Sequence, residues 1–232
     1  ILTHKNINYK NASFRAPWLN AEKQSQYVLG FLPYFHVYGL HVVIDGIIMG
    51  RTVIVVNKFD FELHLKSISK YKITQFAVVP PVLQMYAKSP LTDKYDLSHI
   101  EGILVGAAPV SESLRKAILQ RTGIKSIFQG YGLTEITVAA TVTDVGLDKP
   151  ETCGKLLPYL TGVVRDLKTG RNLGPNQSGE LCFKGGMVMK GYYKNEAATK
   201  DVFTEDGYLR TGDIGYYDKE GYFYIEDRLK DL

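Results

Sequence analysis

The sequence predicts an α/β fold: a mostly parallel sheet flanked by helices over residues 1–150, followed by a smaller β-rich subdomain over residues 151–232. Two textures along the chain carry this reading. Up to about Val142, short continuous apolar runs alternate with segments of helical spacing, the pattern of strands covered on both faces. Beyond it, turn signals crowd together at Lys168-Thr169-Gly170, Asn172-Leu173-Gly174-Pro175, Gln177-Ser178-Gly179, Glu205-Asp206-Gly207 and Lys219-Glu220-Gly221. Only short strand-like segments lie between them, as in a run of hairpins. A third observation is compositional: 45% of the 232 residues are apolar and 12% aromatic, which supplies a sizeable core and excludes disorder as a class.

The elements follow in order. Leu2–Trp18 reads as an amphipathic helix closed by the Ala16-Pro17 break, because proline disfavours a helical residue before it. Tyr27–Leu32, stopped by Pro33, reads as a buried strand. His41–Met49 reads as a helix, Thr52–Val56 as a β-branched strand, and Phe61–Tyr71 as a helix with Phe61, Leu65 and Ile68 on one face. Gln75–Val79 is a strand stopped by Pro80-Pro81, and Val82–Ala87 a helix. Ile103–Val105 is a strand, Ser111–Arg121 a helix and Ile124–Gln129 a strand. In the second part the strand segments are Val163–Asp166, Glu180–Phe183, Tyr208–Arg210 and Tyr222–Ile225.

Charge and cysteine usage narrow the class. Lys and Arg number 28 against 24 Asp and Glu, a net charge of +4 with no basic run, which argues against a nucleic-acid partner. The most apolar stretch, Leu40–Val56, is interrupted by Asp45 and Arg51, so no segment reaches the ~20 apolar residues of a membrane span. Cys153 and Cys182 match neither a metal-ligand spacing nor a disulfide framework, so reduced thiols in an intracellular compartment are expected. The chain opens at Ile1, without Met, inside a helical pattern, and stops at Leu232 in a charged run; it reads as a fragment of a longer protein.

Four clusters could carry chemistry. Pro33-Tyr34-Phe35-His36-Val37-Tyr38-Gly39 follows a strand at its carboxyl end, where open α/β sheets place ligands. His36 there is either a core or rim histidine or an imidazole positioned beside an anion. Val105-Gly106-Ala107-Ala108-Pro109 places small residues after a strand, which suits a flat ligand against the backbone and equally suits a tight turn. Gln129-Gly130-Tyr131-Gly132-Leu133-Thr134-Glu135 offers a flexible loop, a ring to stack on, a hydroxyl for a phosphoryl oxygen and a hard oxygen ligand for Mg²⁺. Its structural reading is a turn in which Thr134 caps the next helix. Thr211-Gly212-Asp213, with Asp227-Arg228-Leu229-Lys230, offers a carboxylate for a vicinal diol and a guanidinium beside it, or else a hairpin corner and a solvated charge run. Together they supply what a nucleotide needs: base platform, phosphate hydroxyl, metal ligand and ribose acceptor.

Tyr131-Gly132-Leu133-Thr134-Glu135, Thr211-Gly212-Asp213 and Asp227-Arg228-Leu229-Lys230 resemble the core motifs of the adenylate-forming enzymes, the superfamily of acyl-CoA synthetases, 4-coumarate–CoA ligases and beetle luciferases. Gly179-Glu180-Leu181-Cys182-Phe183-Lys184-Gly185 and Met189-Lys190-Gly191-Tyr192-Tyr193 match another signature of that family, and Ile1-Leu2-Thr3-His4 is similar to the tail of its phosphate-loop motif. The resemblance spans the chain and is greatest to the 4-coumarate–CoA ligase-like and luciferase-like proteins of insects. It identifies the chain as the central part of the family's large N-terminal domain.

The resemblance implies roles. His36, Thr134 and Glu135 act in adenylation, with Glu135 on Mg²⁺. Gly106, Ala107, Ala108, Gln129, Gly130, Tyr131, Gly132, Thr134, Asp213 and Arg228 bind ATP or AMP, Tyr131 under the adenine and Asp213 with Arg228 on the ribose. His36, Tyr38, Gly106 and Val138 line an apolar acyl pocket, and Lys230 is the hinge to a C-terminal domain. The implied cofactors and partners are ATP, Mg²⁺, coenzyme A and a fatty or aromatic carboxylic acid; the implied compartment is cytoplasmic or peroxisomal. The loop that holds the outer phosphates precedes Ile1 in the family pattern, and the lysine that contacts the carboxylate and α-phosphate follows Leu232, so the 232 residues alone are expected to be nearly inactive. Beetle luciferases tend to carry His-His-Gly-Phe where this chain has Phe35-His36-Val37-Tyr38, and serine where it has Val138. Both differences favour an acid–thiol ligase over a luciferin monooxygenase, with a nucleotide-binding pseudoenzyme as the third reading.

Overall fold

A computed structural model describes residues 1–16, 25–106, 110–144, 149 and 151–229. In chain order its elements are α1 (His4–Ser13), β1 (Tyr27–Gly30), α2 (Val37–Ile48), β2 (Thr52–Val55), α3 (Phe61–Tyr71), β3 (Gln75–Val78), α4 (Pro80–Lys88), β4 (Gly102–Val105), α5 (Glu112–Thr122) and β5 (Ile127–Tyr131). They are followed by β6 (Thr141–Val142), β7 (Gly154–Leu156), β8 (Leu160–Arg165), β9 (Gly179–Gly185), α6 (Glu196–Asp201), β10 (Leu209–Tyr217) and β11 (Tyr222–Arg228). The fold is of the α/β class, and it divides into two compact units. One comprises Pro17–Gly130 and Asp144–Glu151, the other Ile1–Ala16, Tyr131–Thr143 and Thr152–Leu232.

The first unit is the parallel part. β1 pairs with β2 from Tyr27↔Thr52 to Gly30↔Val55, β3 with β4 from Gln75↔Gly102 to Val78↔Val105, and β4 with β5 from Ile103↔Ile127, all parallel. The helices between them are defined by local chemistry. Asp60 accepts the Leu63 amide and caps α3, whose Phe61, Leu65 and Ile68 are buried. Ser111 caps α5, and Gly123, at φ +70°, ends it. α4 starts at Pro80 rather than Val82, because proline's missing N–H costs nothing in a first turn. α2 starts at Val37 rather than His41, since the His36 ring accepts the Tyr38 amide and caps a turn that the sequence pattern hid. Ile68, Ile73, Val78, Leu83, Ile100, Ile103, Val105 and Ile118 are wholly buried and make a continuous core.

The second unit is antiparallel, with strand order β6-β7-β11-β10-β9-β8. Val164, Leu181, Cys182 and Phe183 are fully buried in it. β10 runs to Tyr217, well past the expected Tyr208–Arg210, because an irregularity in its pairing with β9 between Arg210 and Ile214 absorbs Thr211-Gly212-Asp213 without ending the strand. α1 corrects the amphipathic reading of Leu2–Trp18. Its buried residues are Asn6, Lys10, Asn11 and Ser13. Asn6 Nδ2 donates to the carbonyls of Gly186 and Val188 at 2.9 and 2.7 Å, and Ser13 Oγ to that of Pro158 at 2.6 Å. The helix is therefore docked by hydrogen bonds onto loop carbonyls that would otherwise be orphaned. Among the described residues no helix is long and apolar enough to cross a membrane.

His64 is the most consequential polar group of the parallel unit. It is 1% exposed on α3, among Phe31, Phe59, Phe61, Phe76 and Tyr86, and its Nε2 lies 2.8 Å from the Tyr86 hydroxyl. Burial pushes its pKa down to about 3. The unfolded chain takes up this proton below its ordinary pKa of about 6.5, whereas the folded chain does so only near 3. The stabilisation is therefore full above pH 6.5 and is lost as pH falls toward 3, at up to about 1.4 kcal/mol per pH unit. Urea titrations at pH 7, 6, 5 and 4 are expected to show this slope, and His64→Phe to remove about one proton's worth of it.

Candidate functional site

The best-defined polar constellation lies on β10 and β11. Asp213 is 5% exposed, and a buried carboxylate needs partners on both oxygens. Tyr131 Oη donates to Oδ2 at 2.6 Å, and Arg228 Nε to Oδ1 at 3.1 Å. The second contact follows from strand register, Asp213 standing opposite Arg228 in the β10–β11 ladder. The local shape is set by Gly212, at φ +73°, and by Glu180 on β9. Glu180 is 4% exposed; its Oε1 accepts the Gly212 amide at 3.1 Å, and its Oε2 accepts Arg210 Nε at 2.9 Å. Thr211 Oγ1 donates to the Leu181 carbonyl and accepts the Asp213 amide. Burial first, then the charge and hydrogen bond of Asp213, hold the Tyr131 phenol well above its usual range, so it is a permanent donor.

From Tyr131 the chain enters a strained loop. Thr134–Ile136 form a single 3₁₀ turn, and no side chain caps it, so Thr134 does not act as a cap; it is exposed. Thr137 and Val138 follow at φ +54° and +90°, unusual for β-branched residues. They are held there from outside: Thr137 Oγ1 donates to the Met187 carbonyl at 2.6 Å, and the Met189 amide to the Glu135 carbonyl at 2.7 Å. The doubling-back brings the Val138 carbonyl beside Gly132, whose absent Cβ would lie 2.2 Å from that oxygen. The Glu135 side chain is half-buried, and its Oε1 accepts the Tyr192 hydroxyl at 2.8 Å. Burial and then Glu135 push the Tyr192 phenol up to about 12.

The parallel unit holds the other predicted residues. His36 is exposed, and its Nδ1 accepts the Tyr38 amide at 3.1 Å. That assigns the proton of the neutral ring to Nε2. Tyr38 Oη donates to the Leu104 carbonyl at 3.2 Å, and its ring covers Gly106, where a Cβ would approach to 3.0 Å. Gln129 Oε1 accepts the Val110 amide at 2.8 Å and ties the residue before the α5 cap to β5, the strand that carries Gln129, Gly130 and Tyr131. Ala107, Ala108 and Lys230 lie outside the described residues.

The structure thus joins Tyr131, Asp213 and Arg228 in one cluster, joins Gly132 to Val138, and, in the other unit, joins Tyr38 to Gly106 with His36 two positions away. Sequence reasoning missed Glu180 and Tyr192. An acidic residue inside the buried run Gly179–Phe183 was a legible signal for Glu180; no spacing signalled that Tyr192 meets a carboxylate 57 positions away. Glu135 is a single carboxylate, and no cluster of three or more metal-ligating side chains exists among the described residues. That donor set fits a Mg²⁺ that arrives on phosphates and keeps its waters, not a dedicated protein cage. Gly132→Ala is expected to cost about 1–3 kcal/mol, because the clash is with the Val138–Ala139 backbone and not with a flexible side chain; thermal unfolding measures it.

The family model described as AMP-binding enzyme matches residues 1–193. Luciferin 4-monooxygenase of Nipponoluciola cruciata is 43% identical over 232 residues, covering all of this chain and 42% of its own length. "Probable 4-coumarate--CoA ligase 1" of Dictyostelium discoideum is 42% identical over 233 residues, again covering all of this chain and 42% of that protein. O-succinylbenzoate coenzyme A synthetase of Bacillus subtilis, in complex with ATP and magnesium ion, superposes with a TM-score of 0.87 at 29% identity, over 100% of this chain and 47% of that one. The chain spans well under two thirds of each of these proteins. The chain is a member of the AMP-binding, adenylate-forming enzyme family.

Proposed function

We propose that the complete protein activates a fatty or aromatic carboxylic acid with ATP to an acyl-adenylate, releasing pyrophosphate, and then transfers the acyl group to coenzyme A with release of AMP. The observation that carries this reading is the Asp213 carboxylate, buried and gripped on both oxygens by residues from separate segments. A carboxylate so fixed is preorganised to accept a vicinal diol, and Arg228 adds a donor at its edge. In this reading Asp213 and Arg228 orient the ribose, Tyr131 lies under the base, the Thr134 hydroxyl meets a phosphoryl oxygen and Glu135 holds the cation. Mg²⁺, when bound, neutralises phosphate charge. The attacking carboxylate and the α-phosphorus need alignment rather than covalent help, which is what fixed donors supply. His36, Tyr38, Gly106 and Val138 line the acyl site, and Lys230 is the hinge. A cytoplasmic or peroxisomal site fits the thiols, since Cys153 and Cys182 are unbridged.

The luciferin 4-monooxygenase relative supports a second reading, oxidation of the same adenylate by O₂. ATP–pyrophosphate exchange by the full-length protein over a panel of acids, followed by thioester formation with coenzyme A, is expected to identify the ligase. Light from luciferin and ATP without thioester formation would replace that reading with the oxygenase, and absence of all three activities would leave a pseudoenzyme. Asp213→Ala is expected to lower AMP affinity at least tenfold in calorimetry, because it leaves the Tyr131 hydroxyl and Arg228 without their acceptor. The 232 residues alone are expected to show exchange lowered by several orders of magnitude, since each electrostatic group outside them is worth roughly 10²–10³ in rate.

A further inference from the structure

We propose that Tyr192 is a positioning residue for Glu135: its hydroxyl holds one carboxylate oxygen so that the other is presented in a fixed place to the divalent cation that accompanies the nucleotide. The inference rests on the nucleotide reading above and extends it to a residue outside the predicted site.

The geometry is directional. Tyr192 is fixed from its own side, independently of Glu135. Its amide donates to Thr199 Oγ1 at 2.8 Å, and Thr199 Oγ1 donates to the Asn195 carbonyl at 2.7 Å. Asn195 caps α6, which carries Thr199. Gly191, at φ +149°, allows the close approach: a Cβ there would lie 2.6 Å from Thr199 Cγ2. The Glu135 backbone is held by the Met189 amide at 2.7 Å. What remains free is the glutamate side chain, with three torsions, and the only hydrogen bond to its carboxylate recorded among the described residues comes from Tyr192, at 2.8 Å.

A carboxylate has two oxygens with about four acceptor positions, so one phenol occupies Oε1 and leaves Oε2 for a ligand. Mg²⁺ demands near-ideal octahedral geometry, so a ligand oxygen that wanders among rotamers binds it poorly. Outer partners of this kind typically contribute 10–100-fold to metal affinity. The link is solvent-facing at Tyr192, which is 36% exposed, and that places the expected effect at the low end of the range.

The test uses the full-length protein, Mn²⁺ as the spectroscopic probe and a non-hydrolysable ATP analogue. Tyr192→Phe keeps the ring and removes the hydroxyl. Expected is about a tenfold weaker Mn²⁺ half-saturation by electron paramagnetic resonance in the analogue complex, with AMP affinity in EDTA unchanged within twofold. Glu135→Gln is expected to weaken Mn²⁺ further, and the double variant no more than Glu135→Gln alone. Thr199→Val, which loosens Tyr192 without touching its hydroxyl, is expected to shift Mn²⁺ binding in the same direction by less. Unchanged or tighter Mn²⁺ binding in Tyr192→Phe overturns the proposal, as does an equal loss of metal-free AMP binding, which marks a merely structural role. Failure of the unaltered protein to bind AMP at all refutes the nucleotide reading itself and this inference with it.

Discussion

The antiparallel unit depends on one constraint: a carboxylate at Asp213 that is buried and must be satisfied. Removing a charged group from water is costly unless it is paired and hydrogen-bonded. The surrounding sequence can be read as meeting that requirement. The irregularity after Arg210 turns the side chain to its partners, Gly212 takes the positive φ that the turn needs, and the second buried carboxylate, Glu180, accepts the amide the irregularity frees. The ion pair with Arg228 contributes little by itself, since the arginine side chain is 73% exposed. The neutral phenol of Tyr131 does more, because its short hydrogen bond is less exposed to solvent than the arginine contact. The proposed ribose acceptor and the local fold therefore share atoms.

The two units meet the same problem of burial differently. The parallel unit relies mainly on apolar side chains, and its buried polar ones, His41, His64, Ser67, Thr92 and Ser126, include no carboxylate or ammonium; His64 sits inside an aromatic cage. The antiparallel unit buries Asn6, Thr137, Thr152, Glu180 and Asp213, each bonded to backbone or to another side chain. Such networks specify one arrangement more sharply than an apolar interface does, because a slipped register leaves charges and amides unpaired.

The difference explains what was legible in the sequence. Phe61–Tyr71 is recovered to the residue, since Phe61, Leu65 and Ile68 repeat at helical spacing and all three are buried. The strands of the parallel unit are recovered to within a few residues. Asp213 and Arg228 are legible as a motif, and their pairing follows from ladder register. The polar face of α1 is not legible, because periodicity registers hydrophobicity and the carbonyls that meet Asn6 are 180 and 182 positions away. The Tyr131 hydroxyl illustrates the same limit. Sequence suggests a ring to stack on; only three-dimensional placement shows that its hydroxyl is committed to Asp213.

The loop that carries Thr134 and Glu135 shows how a flexible-looking sequence becomes a rigid one. Two consecutive β-branched residues at positive φ cost of order 1–3 kcal/mol each and persist only when their surroundings over-determine them. Here the surroundings are the segment Met187–Tyr192, which contributes a carbonyl to Thr137, an amide to the Glu135 backbone and a hydroxyl to its side chain. Asn6 of α1 bonds that segment at Val188 and also the preceding Gly186, and Thr199 of α6 bonds it at Tyr192. Each contact is modest, yet the loop cannot relax its dihedral angles without breaking several at once. The placement of Glu135 is thus determined less by the residues beside it in sequence than by a strap fifty positions downstream.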